Sequence, residues 1–149
     1  MLRTISCAVL ALVFASTAIA GNTGVGVILG EPTGLSMKHW LTGRNALAGG
    51  LSWSFEGDGG LYLHVDYLRH FRAGGSDLPE NLNFRWGLGG RLVLPDEGKE
   101  GLGARFPLGM EYMLSSEPLG FFLELVPVLE LIPETDFDLD GGVGCRIYF

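Results

Sequence analysis

The sequence predicts an all-β fold, an eight-stranded antiparallel up-and-down transmembrane β-barrel. Three observations predict it: apolar residues alternate with other residues at period two along most of the chain, glycine recurs too often for stable helices, and turn-forming residues divide the chain into eight such segments. The predicted strands cover residues 22–30, 34–41, 46–55, 61–71, 82–94, 101–114, 120–131 and 138–149.

The first twenty residues have the pattern of a secretory signal peptide. Arg3 is followed by an apolar run over 5–14 that is too short to span a bilayer, and then by Ala18-Ile19-Ala20, which fits a cleavage site. We therefore expect a cleaved signal peptide over 1–20 and a single β-barrel domain over 21–149. Cleavage would leave Cys145 as the one cysteine, so no intramolecular disulfide is expected.

Composition and motifs argue against several classes of function. A net charge of -7 without a basic stripe argues against nucleic-acid binding. Glycine accounts for 24 of the 149 residues, about twice the usual share of roughly 7%, beside 47% apolar residues. The Gly-x-Gly pairs precede no helix and the histidines are scattered, so neither a phosphate-binding loop nor a metal site is indicated. We expect no cofactor.

The direction of the two strand faces decides the class of protein. A soluble sandwich or ligand-binding barrel turns its apolar face inward, whereas an outer-membrane barrel turns it toward lipid. Here the other face carries charges of both signs, more arginine than lysine, and many glycines. This mixture favours a crowded interior, because guanidinium groups suit desolvated carboxylates, although an ordinary solvated face remains the alternative. The predicted interior ion-pair network comprises Lys38, Asp66, Arg85, Arg91, Arg105, Glu111, Glu124, Glu130 and Arg146.

Antiparallel neighbours on this face predict particular ion pairs. The predicted pairs are Arg85 with Glu111, Arg105 with Glu130, and Arg146 with Glu124. The same alignment places Arg91 beside Arg105, so a second carboxylate or a water is needed there.

Aromatic residues are predicted to form two belts at the membrane interfaces. With both termini on the periplasmic side, one rim receives five outward aromatic residues and the opposite rim two. The first belt contains Phe71, Phe84, Tyr112, Phe121 and Phe149, and the second contains Trp53 and Phe55.

Two prolines conflict with a fully paired barrel. Pro107 and Pro127 lie inside predicted strands and have no backbone N–H to donate. If Arg105 faces Glu130, the two prolines come close together, and we expect one shared β-bulge to accommodate both.

The two ends of the mature chain resemble a known family. Residues 29–36 (Leu-Gly-Glu-Pro-Thr-Gly-Leu-Ser) with Lys38 and Trp40-Leu41, and residues 127–133 (Pro-Val-Leu-Glu-Leu-Ile-Pro) with 140–142 and Tyr148-Phe149, are similar to a poorly characterised family of small bacterial outer-membrane β-barrel proteins. The family has spirochaetal members and resembles OmpA/OmpX-type barrels in architecture. The resemblance implies a fold and an outer-membrane location, but no catalytic residues.

The last predicted strand also indicates partners. An alternating apolar series that ends in Phe149 resembles the assembly signal of outer-membrane barrels. We therefore expect contact with outer-membrane lipid and with the barrel assembly machinery, no nucleic acid, and a monomer.

The sequence predicts a structural or interaction role without enzymatic activity or an open pore, because side chains fill the interior of an eight-stranded barrel. One alternative is an enzyme that modifies lipid A, with His64 and Asp66 on one strand face and Ser52 on the facing strand. The other alternative is a soluble periplasmic barrel that binds an apolar ligand.

Overall fold

The chain folds entirely as β-structure where its structure is described. The computed structural model describes residues 22–53, 60–72, 77–96 and 98–149. Its strands are β1 (Thr23–Glu31), β2 (Thr33–Trp40), β3 (Asn45–Trp53), β4 (Leu61–Arg72), β5 (Leu82–Leu94), β6 (Gly101–Arg105), β7 (Leu108–Met113), β8 (Leu119–Ile132) and β9 (Asp136–Tyr148). Within these ranges no helix has the length and apolarity needed to cross a membrane.

The strands form one antiparallel sheet that closes on itself. Each of the strands β1 to β5 pairs with the next along the chain, β8 pairs with β9, and β9 pairs with β1. Both β6 and β7 lie between β5 and β8. The nine-stranded sheet therefore closes into a ring through eight strands, and each strand has a hydrogen-bonded neighbour on both sides.

The ring has two distinct ends. The terminus end contains Asn22, Phe149 and the turns that follow β2, β4 and β7, and the tip end contains the opposite turns. The connection between β1 and β2 at the tip end is the single residue Pro32, and the connection between β8 and β9 covers only 133–135. At these two places the strands therefore project almost no loop beyond the ring.

Strand alternation separates a polar inner face from an apolar outer face. Arg85 and Glu111 point inward and are 2% exposed, whereas Trp86 and Leu88 on the outer face are 52% and 57% exposed. Each strand of the ring repeats the pattern because successive side chains point to opposite faces of a sheet. Along most of the strands the inner face thus buries charged residues, and the outer face exposes large apolar ones.

The predicted segments agree with the observed strands to within two residues at their ends, and the predicted residues 54 and 55 lie outside the described part of the chain. One segment differs in kind: the predicted strand over 101–114 is interrupted at Phe106-Pro107 and forms β6 and β7.

The hypothesis of a shared β-bulge at the two prolines is wrong. The register between β6 and β8 shifts at Leu102/Gly103, so that Arg105 lies opposite Val128 and not opposite Glu130. From Gly103 in β6 to Met113 in β7, across Pro107, the chain then pairs with β8 in a single register.

At each proline, one of the two backbone hydrogen bonds that join a regular antiparallel residue pair is instead missing. The Phe106 N–H donates to the Pro127 carbonyl at 3.0 Å, and the Gly87 N–H donates to the Pro107 carbonyl at 3.0 Å. In such pairs the reciprocal bond comes from the opposite N–H, which proline does not have. The ladder is therefore weakened at Phe106-Pro107 without a change of register.

Replacing Pro127 with valine is expected to complete the pair with Phe106. The new N–H would point at the Phe106 carbonyl, and the β-branched side chain suits a strand, so we expect the free energy of unfolding to rise by about 1 kcal/mol. Urea titration of the refolded protein in detergent micelles, followed by tryptophan fluorescence, measures the change. A Pro127→Val variant that is less stable than the native chain would contradict this account of the interruption.

Candidate functional site: the charged interior

All nine residues of the predicted network lie on inward-facing strand positions. Glu124 and Glu130 are partly exposed, and the remaining seven are buried. The buried members are Lys38, Asp66, Arg85, Arg91, Arg105, Glu111 and Arg146. Their side chains form two groups along the axis of the ring.

The first group surrounds the carboxylate of Glu111 near the terminus end. Its Oε2 lies 3.1 Å from Lys38 Nζ, 3.3 Å from Arg85 Nη1 and 3.2 Å from Arg146 Nη1. The Tyr148 hydroxyl donates to Oε1 at 2.8 Å. We call these five residues the Glu111 cluster. Because a buried charge without a partner costs several kcal/mol, one carboxylate here compensates three cations only with help from its surroundings.

Two aromatic rings provide part of that help. The Arg146 guanidinium lies 3.9 Å and that of Arg85 5.0 Å from the centroid of the Phe122 ring. Lys38 Nζ lies 4.0 Å from the centroid of the Trp40 ring. Each ring presents its negative face to a cation, which is most favourable where water is excluded.

The second group is centred on Asp140, nearer the tip end. The Tyr62 hydroxyl donates to Asp140. It also accepts a hydrogen bond from Arg91 and one from Arg105, each at 3.0 Å. Arg105 also donates two bonds to Asp66, at 3.0 and 3.1 Å, in a bidentate fork. The Asp140 cluster comprises Tyr62, Asp66, Arg91, Arg105, Glu130, Asp138 and Asp140.

Glu124 joins the two clusters. Its carboxylate lies 2.8 Å from Arg85 Nη2 and 3.9 Å from Arg105 Nη2. Charged contacts therefore continue along the axis from the terminus end to the tip end.

One of the three predicted ion pairs is present, and the other two are wrong. Arg85 contacts Glu111, as its position on the neighbouring strand predicts. Glu130 contacts Arg91 in place of Arg105, because Gly103 lies opposite Glu130 and Arg105 lies opposite Val128, two residues further along β8.

Arg146 contacts Glu111 and the Ser36 hydroxyl in place of Glu124. The predicted need for a further acceptor beside Arg91 and Arg105 is met by Asp140, which lies 3.0 Å from Arg91 and 3.7 Å from Arg105.

Four arginines reach an acceptor two strands away across a glycine on the strand between. The sets are Arg105–Gly89–Asp66, Arg91–Gly103–Glu130, Arg85–Gly109–Glu124 and Arg146–Gly26–Ser36. Neighbouring strands lie about 4.7–4.9 Å apart, so the side chains of each pair must cross the middle residue.

The middle positions leave little room for a side chain. A Cβ at Gly89 would overlap Asp66 Oδ1 and the Val65 carbonyl oxygen, and one at Gly109 would lie 2.5 Å from the Leu123 carbonyl oxygen and 3.1 Å from Arg85 Nε. At Gly103 the nearest atoms would lie at 3.2 Å, so the neighbouring groups would have to shift. The high glycine content of the chain therefore has a local cause in the interior: these glycines provide the space through which the ion pairs form.

The aromatic residues predicted for the first belt lie at one rim of the outer face. Phe71 pairs with Phe84 with their rings stacked at 5.8 Å, Tyr112 pairs with Phe121, and Phe149 exchanges backbone hydrogen bonds with Thr23. All of these lie at the terminus end.

Trp53 is exposed at the tip end of β3. Phe55, the other residue predicted for that rim, lies outside the described part of the chain.

The candidate catalytic residues lie inside the ring beside a very small cavity. His64 Nε2 is 4.0 Å from Asp66 Oδ2, and Ser52 is fully buried. Ser52 Oγ and His64 Nδ1 have no hydrogen-bond partner among the described residues. Both residues border a cavity of about 10 Å³, close to the smallest space that holds one water. Within the described ranges no group of His, Cys, Asp and Glu side chains is arranged to hold a metal ion.

The prediction missed several members of the interior network. Tyr62 and Asp140 connect Arg91 with Arg105, and Asp138 contacts Arg91. In the Glu111 cluster, Tyr148 contacts Glu111, and Ser36 contacts Arg146 from outside the cluster. Strand alternation carried the signal for some of them, since Tyr62 shares a face with His64 and Asp66. Strand alternation could not predict which polar residues far apart in the sequence contact each other.

A larger, open cavity occupies the terminus end. Its volume is about 890 Å³, and its wall includes Trp40, Arg44, His70, Arg72, Asn81 and Asn83. His70 forms part of the floor, and its Nε2 lies 2.7 Å from Lys38 Nζ of the Glu111 cluster.

Comparison with known proteins identifies the fold. The chain is similar to the solved N-terminal β-barrel domain of OprF from Pseudomonas aeruginosa, with a TM-score of 0.62 and 18% sequence identity over 86% of this chain and 96% of that one. The closed sheet therefore has a β-barrel fold. No family model matches the chain, and no curated protein matches it at a significant level.

Replacing Gly89 with alanine is expected to disrupt the fork between Arg105 and Asp66. The added methyl group would occupy the position of Asp66 Oδ1, so we expect the free energy of unfolding to fall by about 3 kcal/mol. The matched control is Gly90→Ala, because Gly90 faces outward and a Cβ there would meet its nearest neighbour at 3.7 Å. That variant is expected to be as stable as the native chain or up to about 1 kcal/mol more stable.

Urea titration of both variants in detergent micelles makes the comparison. Equal stability of Gly89→Ala and Gly90→Ala would show that the glycine positions are not set by the ion pairs.

Proposed function

We propose that the chain is a small outer-membrane β-barrel protein with a transmembrane wall of eight strands. The observation that carries the proposal is the reversed distribution of side chains. Large apolar residues are exposed on all sides of the ring, including Val65, Leu88, Leu123 and Val143, while charged residues such as Lys38 and Arg105 are buried inside it. Soluble monomers rarely expose continuous apolar patches of more than a few hundred Å², whereas lipid requires such a surface.

The same distribution argues against a soluble barrel that binds an apolar ligand. Such a barrel needs an apolar cavity inside, but the Glu111 and Asp140 clusters occupy the interior. The likeness to the OprF β-barrel domain is consistent with a membrane location for this chain.

We propose a structural or interaction role without an open pore. Charged contacts fill the axis from Lys38 to Asp138, and the interior of an eight-stranded barrel is only wide enough for its own side chains. The short connections at Pro32 and over 133–135 offer little surface for adhesion at the tip end.

We also propose that the chain is not an enzyme acting on lipid A. Ser52 is fully buried beside a cavity of about 10 Å³, and a lipid substrate needs direct access to a nucleophile. Incubation of the purified barrel with labelled lipid A tests this: release of labelled acyl chains that Ser52→Ala abolishes would contradict the proposal.

Export and assembly follow from the two ends of the chain. We propose that residues 1–20 direct export and are removed, and that β9 with Phe149 engages the barrel assembly machinery. Every described strand is paired on both sides, which leaves no free edge and supports a monomer in contact with outer-membrane lipid.

Cell fractionation with a heat-mobility assay tests the proposed location. The native chain is expected in the outer-membrane fraction and to change electrophoretic mobility when heated in detergent, because the closed sheet unfolds only on heating. Recovery from the soluble periplasmic fraction would contradict the proposal.

A charge in the middle of the outer wall gives an independent test. Leu88 lies at the centre of β5 and faces outward, so Leu88→Arg is expected to destabilise a lipid-embedded barrel by about 2–4 kcal/mol. The control is Phe137→Arg near the tip end of β9, with an expected cost of about 0–1 kcal/mol.

Reversible urea unfolding in phospholipid vesicles measures both variants. If the two substitutions cost the same, or Leu88→Arg costs nothing, the outer wall is not in contact with lipid.

A further inference from the structure

The open cavity at the terminus end has the size of a small-molecule site. Its volume of about 890 Å³ lies within the range of roughly 300–1,000 Å³ that is usual for ligand pockets. One side of its wall is formed by Trp40 and the turn that follows β2, and the other by the end of β4 and the start of β5. We call this cavity the vestibule.

Two arginines of the vestibule have no carboxylate partner. Arg85, Arg91 and Arg105 each form ion pairs in the interior, but Arg44 and Arg72 form none with the described residues. The two flank His70: the Arg44 carbonyl accepts the His70 N–H at 2.7 Å, and Arg72 follows His70 by two positions on the same face of β4. Both arginines line the cavity, and no described carboxylate uses their guanidinium donors.

The charge below the floor has the same sign. In the Glu111 cluster, Lys38, Arg85 and Arg146 converge on Glu111, and Glu124 is the one further carboxylate in contact with any of them in the described structure. The three cations thus exceed the two carboxylates.

Because Lys38 Nζ reaches the ring of His70, this excess positive charge lies directly beneath the vestibule. A cleft with walls of low dielectric constant strengthens such a field. Glu80 is the one acidic side chain on the described wall.

We propose that the vestibule binds the phosphate group of an organic phosphate. Two guanidinium groups need an acceptor with several oxygens, and the tetrahedral phosphate group offers more of them than a single carboxylate. The amides of Asn81 and Asn83 add neutral donors, and Trp40 provides an apolar surface for the organic part. The phosphate group can belong to a soluble molecule or to a phospholipid headgroup at the rim. Binding of a soluble phosphate does not depend on the proposed membrane location, whereas binding of a headgroup rests on it.

Titration with glycerol 3-phosphate tests the site. The refolded native chain in zwitterionic detergent is expected to bind this probe saturably in isothermal titration calorimetry. Arg44→Gln and Arg72→Gln are each expected to weaken binding about tenfold, because each removes charged hydrogen bonds to the phosphate. Glu80→Gln is expected to strengthen binding, since it removes the opposing charge.

The matched control is Arg69→Gln. Arg69 lies on the same strand as Arg72 but is exposed on the outer face and is not part of the vestibule wall, so this variant is expected to bind as the native chain does. The heat-mobility assay verifies that each variant is folded.

Lipid nanodiscs separate the two sources of the phosphate. If a headgroup is the occupant, glycerol 3-phosphate binds more weakly in nanodiscs with phosphatidylglycerol than in a sulfobetaine detergent, which has no phosphate, and Arg72→Gln removes the difference. If a soluble phosphate is the occupant, the nanodiscs and the sulfobetaine detergent give equal affinity. The proposal is overturned if the native chain shows no saturable binding, or if Arg44→Gln and Arg72→Gln bind as tightly as Arg69→Gln.

Discussion

The four buried arginines of the described structure must each reach an acceptor inside a ring only eight strands around. All four do so across a glycine on the strand between, as Arg105 does across Gly89 to reach Asp66. A side chain at the middle position would separate the charges, and a desolvated charge without its partner is very unfavourable. Glycine and arginine are therefore coupled in this fold, and the two together keep much of the interior filled by charged contacts.

The filled interior and the apolar wall are consequences of one alternation. In each strand, the residues that supply charges and glycines to the inside are separated by leucine, valine and aromatic residues that face outward. Because the interior buries few apolar side chains, the usual hydrophobic core is reduced to scattered contacts such as Leu68, Phe122 and Val126. A lipid environment would supply on the outside the apolar surroundings that a soluble protein provides within.

The interior is asymmetric along its axis. Cations exceed carboxylates near the terminus end, where Lys38, Arg85 and Arg146 share Glu111, whereas carboxylates exceed arginines in the Asp140 cluster. The vestibule lies over the positive half, which gives the two ends different electrostatic character although the whole chain is acidic.

The sequence alone determined the strands and their faces, because period-two alternation is a property of neighbouring residues and requires no tertiary information. It placed Lys38, Arg85 and Glu111 on the inner face, and it located the strand ends to within two residues. Tertiary structure decided which charges meet. The bulge at Leu102/Gly103 shifted β6 against β8, and arginines crossed glycines to strands that are not their neighbours. These contacts depend on register and on the curvature of the closed ring, to which residues far apart in the sequence contribute jointly.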